Sequence, residues 1–132
     1  MVAAYNLWSP DVRRDIVNPY SEVERLQIML SCSFKAVSGG FRHLPIWYII
    51  DPPHGLFDAA LARQIAIHIL HYQFEVPRRR IVAIQERQRT SISLSLQVIN
   101  RRLKEPVFAR AYRRWAGRAM DLFLREMEKA VG

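Results

Sequence analysis

The sequence predicts an all-α protein, a small helical domain that closes on a long C-terminal helix. Three observations carry this. Apolar residues recur at spacings of three and four along four separate stretches, the period of a helix with one buried face. Helix-start signals head three of them, at Ser21, Asp58 and Pro106. The longest alternating run, residues 91–98, also carries a helical face.

Taken in order, residues 1–20 hold Trp8, Pro10, Pro19 and the pair Arg13-Arg14 without any period. They read as an N-terminal arm. It either straps Tyr5, Leu7 and Trp8 onto the body or reaches a polyanion. The domain proper is residues 21–132. Its first helix opens on Ser21-Glu22-Val23-Glu24, a capping box in which Ser21 is the N-cap and Glu24 sits three residues on. Val23, Leu26, Met29 or Leu30, and Phe34 form its buried stripe, and Gly39-Gly40 should end it.

Leu44 to Ile50 is apolar and rich in strand formers, and Asp51-Pro52-Pro53-His54-Gly55 then breaks any regular element. This stretch reads as a short strand, a buried irregular segment, or a self-association surface. Asp58 is the expected N-cap of a helix to about Phe74. Leu61, Ile65, His68, Ile69 and Tyr72 form one face, and Ile67, Leu70 and Phe74 a second. A helix apolar on two sides belongs at the centre of a domain. His68 and His71 stand one turn apart, but no third ligand lies near in sequence, so core histidines are the simpler reading.

From Pro77 to Lys104 the chain sets Arg78, Arg79, Arg80, Arg87, Arg89, Arg101, Arg102 and Lys104 around two short apolar runs. We read residues 77–103 as a helix-turn-helix whose second helix starts near Thr90. Ser91 to Val98 alternates polar and apolar, as a half-buried strand would. Ile92, Leu96, Ile99 and Leu103 equally mark one helical face. Periodicity alone leaves the two open. On the helical reading Thr90, Leu94, Gln97 and Arg101 point the opposite way. After Glu105 a helix runs from Pro106 to about Lys129, with proline in its first turn. Phe108, Ala111 or Tyr112, Trp115, Ala119, Leu122, and Leu124 or Met127 supply its apolar face. Arg110, Arg113, Arg114 and Arg118 lie on the other side, to track phosphates or simply to solvate the face.

The net charge of +8 is unevenly placed. Residues 77–118 hold 12 of the 20 basic residues and only Glu86 and Glu105 as acids, so all the positive excess lies there. Such a field marks a polyanion partner more often than a plain solvated surface. The single cysteine, Cys32, permits no internal disulfide and reads as a small buried hydrophobe. Ile46 to Ile50 is too short an apolar run to span a bilayer, and no signal-peptide pattern opens the chain. A cytoplasmic, nucleoid-associated protein is expected, without cofactor or metal. No Walker loop, G-x-S-x-G or H-E-x-x-H is present. Asp11 with Asp15, and Glu126 with Glu128, read as surface charges, so an enzyme is not expected.

The span Ala62 to Leu70, then Ile81 and Ile84, then Arg87-Gln88-Arg89-Thr90-Ser91-Ile92, resembles the C-terminal DNA-binding domain of the bacterial replication initiator DnaA. That family carries an Arg-Gln-(apolar)-Ala-x-x-Leu helix. A helix-turn-helix follows, and its second helix opens with a basic-Asp-His-Thr-Thr-Val run. Arg87 matches the basic residue, Gln88 stands for the Asp, Arg89 for the His, and Thr90-Ser91-Ile92 for Thr-Thr-Val. The likeness covers roughly residues 22–103. The family's Gly-Gly is Gln85-Glu86 here, and its second His is Leu94. The resemblance implies helix for residues 91–98 and duplex DNA as partner. Arg87, Gln88, Arg89, Thr90, Ser91, Leu94 and Gln97 would lie at the groove. Arg63 and Gln64, matching the family's Arg-Gln pair, would touch phosphate, with Arg78, Arg79 and Arg101 as flanking basic contacts. Arg42 and His54 alone could replace the family's minor-groove loop. A module docking on another protein through Trp47, Tyr48 and Ile49 is the alternative, and self-association is left open.

Overall fold

Six α-helices follow one another in the computed structural model, which describes residues 21–85 and 89–131, Arg89 by its backbone alone. No strand occurs among the described residues. The expected N-terminal arm and the Arg87-Gln88 pair lie outside them.

Helix α1 (Glu22–Ser38) starts as its capping box predicts, the Glu24 amide donating to Ser21 Oγ at 3.4 Å. Leu30, Phe34 and Val37 are buried, and so are Gln27, Ile28 and Ser31, so α1 is covered on more than one side. Val23, expected in the buried stripe, is 45% exposed. It lies in the first turn, ahead of the point where neighbouring helices close over α1. Ser33 Oγ donates to the Met29 carbonyl at 2.8 Å, which lets a hydroxyl sit in an apolar core. The helix ends at the glycine pair, but not through a left-handed cap: Gly39 has φ −60°. Gly40 is there for space. A Cβ on it would lie 2.5–2.8 Å from the Trp115 indole.

Residues 46–50 form a short helix, α2 (Ile46–Ile50), which settles the choice among strand, irregular segment and surface. Pro45, at φ −61°, sets the helix-entry geometry, and no second strand exists among the described residues to pair with this one. Ile49 is fully buried whereas Trp47 and Tyr48 face solvent, so the anchor patch expected at Trp47, Tyr48 and Ile49 loses Ile49.

Helix α3 (Phe57–Tyr72) is the central element, packing against all five other helices. Ala59, Ile65, Ala66, Ile67, Ile69 and Leu70 are fully buried, as two apolar faces require. Leu56, not Asp58, is the N-cap residue. Asp58 lies one position inside the helix, with its carboxylate accepting from His43 Nε2 at 3.1 Å. The helix stops at Tyr72 rather than Phe74. His71 Nδ1 donates to the Val76 carbonyl at 2.7 Å across a turn in which Glu75 takes φ 57°. Tyr72, expected inside, is 49% exposed, though its ring lies on His68 with centroids 4.4 Å apart.

Helices α4 (Arg78–Gln85) and α5 (Arg89–Arg102) follow, separated by residues 86–88, and both pack on α3. The chain turns again at Lys104 and enters α6 (Pro106–Val131), which lies along α1. Glu105 caps it. Its carboxylate accepts the Val107 and Phe108 amides at 3.1 and 2.7 Å, and these bonds hold its carboxyl below the usual range. At the far end Leu124 is 51% exposed, and Met127 is the half-buried member of the expected pair. The buried residues of all six helices except α4 and α5's last turn meet in one apolar cluster, which Ile81 joins from α4.

Candidate functional site

Helix α5 decides between the two periods that its sequence carries. Ile92, Leu96 and Ile99 are at most 1% exposed, and Leu103 packs against the same core. Burying each such side chain contributes about 1.5–3 kcal/mol, enough to fix the rotation of the helix about its axis. Ser95 is buried beside them, its Oγ donating to the Ser91 carbonyl at 3.0 Å. The opposite face presents Thr90, Leu94, Gln97 and Arg101 to solvent, with Leu94 58% exposed. At about 100° and 1.5 Å per residue these four fall within roughly 60° of arc and span about 16 Å. Ser91 is exposed at the edge of this stripe.

The neighbouring basic residues divide. Arg78 and Arg79 are exposed at the start of α4, whereas Arg80 pairs with Glu22 of α1. Arg63 is not displayed with them. It is 5% exposed, and its Nη2 donates to Gln85 Oε1 at 3.0 Å, which ties α3 to the end of α4. The expected Arg63 phosphate contact thus gives way to a positioning bond, because the residue lies on the face of α3 that α4 covers. Gln64 is half-buried beside it. Arg42 and His54 are both exposed. On α6, Arg110, Arg113, Arg114 and Arg118 all face solvent.

A cleft of about 400 Å³ opens between the loop at residues 52–56, α3 and the start of α5. Phe57 stands at its lip and Arg63, Gln64, Ser91 and Ser95 line it.

One buried polar group was not foreseen as structural glue. His68 is 3% exposed on α3 and joins three helices. Its Nε2–H donates to Asn100 Oδ1 of α5 at 2.7 Å, and its Nδ1 accepts from the Tyr112 hydroxyl of α6. Burial is the main reason that His68 titrates below its ordinary 6.5, with His71 adding a smaller push and Asn100 opposing. Burial likewise raises the Tyr112 phenol, with Tyr72 adding to the effect, so it stays a donor. Both ring nitrogens are therefore engaged. Among the described residues no group of three His, Cys, Asp or Glu is placed to hold a metal ion. The sequence signal was available: a histidine between two apolar faces of a central helix needs polar partners from its neighbours.

This network predicts an acid sensitivity. The unfolded chain takes up a proton at His68 near pH 6.5, but the folded chain does so only at lower pH. Its contribution to stability is complete above that value and falls as pH drops below it. Thermal melts at pH 7.5 and 5.5 should show a lower midpoint in acid, and His68→Gln should shrink the difference. An unchanged difference in the variant refutes the assignment.

No helix among the described residues is long and apolar enough to cross a membrane. Comparison with protein families, curated proteins and solved structures returns no match.

Proposed function

We propose that the chain is a non-enzymatic, sequence-specific binder of duplex DNA, acting in transcription or replication. In this reading α4 and α5 form a helix-turn-helix, with α5 as the helix that enters the major groove. The observation that carries it is the division of α5. Three fully buried apolar residues hold it from behind, and Thr90, Leu94, Gln97 and Arg101 form an outward stripe in the most basic third of the chain. In such motifs the start of the second helix meets base edges while flanking basic groups hold phosphate. Gln97 suits adenine, and Leu94 suits a thymine methyl. Gln88 and Arg89, just ahead of the stripe, carry the side chains that make bidentate contacts with adenine and guanine. Arg78, Arg79 and Arg101 are the phosphate contacts.

Selection of bound sequences from a random duplex pool tests binding and specificity together. Gln97→Ala should flatten the recovered preference at one position, a loss of about 1–3 kcal/mol against the wrong base. Arg101→Ala should instead weaken all duplexes by a similar factor and lower the salt slope by about one. Gln88, Arg89 and Leu94 stand where the replication initiator family has an Asp and two His. The recovered sites should therefore differ from the initiator's box. Failure to enrich any sequence would favour a second reading, a protein-docking module. The observation on that side is the exposure of Trp47 and Tyr48 on α2, at 57% and 43%.

A further inference from the structure

We propose that the cleft between the loop at residues 52–56, α3 and the start of α5 binds a single nucleotide, base against Phe57 and phosphate toward Arg63. This inference stands on the cleft and not on the duplex reading. Its volume, about 400 Å³, is within the range of small-ligand pockets. Its two sides differ in chemistry. Phe57 is 69% exposed and lies outside the hydrophobic core, so its ring is a flat apolar platform left in water beside the opening. A nucleobase stacks on such a ring whatever its identity. On the inner side lies the guanidinium of Arg63, 5% exposed and held in one orientation by Gln85. A fixed guanidinium loses little freedom on meeting a phosphate and can present paired N–H donors to it. Gln64 and the exposed hydroxyl of Ser91 add polar partners on either side. No carboxylate lines the cleft to repel an anion. The nearest acid along α3, Asp58, is engaged with His43.

The nucleotide has two sources, a free mononucleotide or an unstacked nucleotide of a bound strand, and one experiment separates them. Amide spectra of the ¹⁵N-labelled chain are recorded during titration with AMP, adenosine, inorganic phosphate, a blunt duplex, and the same duplex carrying one unpaired nucleotide. AMP should give saturable shifts at Gly55, Ala60, Gln64, Ser91 and Ser95, with adenosine and phosphate each binding more weakly. Phe57→Ala, which removes an exposed ring, should weaken AMP about tenfold. Cleft shifts with the gapped duplex alone assign the site to a strand nucleotide. Absence of saturable cleft shifts with both AMP and the gapped duplex overturns the proposal, as does binding indifferent to Phe57→Ala. The blunt duplex reports separately through Leu94 and Gln97, so loss of the nucleotide site and loss of the groove-binding reading are distinguishable.

Discussion

Leu96→Asp and Ile99→Asp should each unfold the domain, whereas Leu94→Asp should leave it folded and weaken its hold on duplex DNA. Leu96 and Ile99 are 1% and 0% exposed, and nothing polar from α3 is placed to receive a carboxylate there. Burying one without a partner costs several kcal/mol, out of a typical total stability of about 5–15 kcal/mol. Leu94, 58% exposed, meets water instead, and a surface substitution of that kind changes stability by about 0.5 kcal/mol or less. A carboxylate on the outward stripe would then repel phosphate without disturbing the core. Circular dichroism melts of the three variants, with duplex binding measured on whichever remain folded, check both halves. Equal loss of melting temperature in Leu94→Asp and Leu96→Asp would mean that the two residues share a face.

Binding to duplex DNA should also collapse with salt. If about five of the 12 basic residues in the region 77–118 meet phosphate, log K falls with a slope of about −4.5 against log salt. A fourfold rise in salt then lowers affinity several-hundred-fold, about 500-fold for that slope. Fluorescence anisotropy of a labelled duplex between 50 and 200 mM salt, roughly the range over which such slopes are read, supplies the measurement. A flat salt dependence, or no binding at the lowest salt, removes the arginines of α4 and α5 from the interface and leaves Trp47 and Tyr48 as the surface to pursue.

The helices were legible in the sequence where local chemistry and burial agree. Ser21 caps α1 and the two apolar faces of α3 mark the centre, because each feature acts within a few residues of itself. Helix α5 was ambiguous because serines at every second position imitate a strand. What resolves it is contact with α3, which no window of sequence contains. The 44–50 stretch misleads for a related reason. Its strand formers are real, but β propensity has no effect without a neighbouring strand, and Pro45 leads into a helical turn instead. Within the site, the outward positions of Thr90, Leu94, Gln97 and Arg101 follow from angular spacing alone. The inward position of Arg63 does not, since its charge argues for the surface and only the placement of α4 turns it into a tether for Gln85. The triple junction at His68 needed the distances between three helices, to Asn100 and Tyr112.

The close approach of Trp115 to Gly40 gives the protein an optical reporter of its own. The indole is half-buried, packed near Phe41 and Phe108 at centroid distances of 5.9 and 6.2 Å, and it occupies the space that a side chain at residue 40 would fill. Trp47, by contrast, already faces water. With Trp8 and Trp47 replaced by phenylalanine, Trp115 is the one remaining indole, and its emission is governed by whether α6 is seated on the turn after α1. A red shift on heating or in denaturant would then time the departure of the C-terminal helix, independently of the helical signal from the rest of the chain.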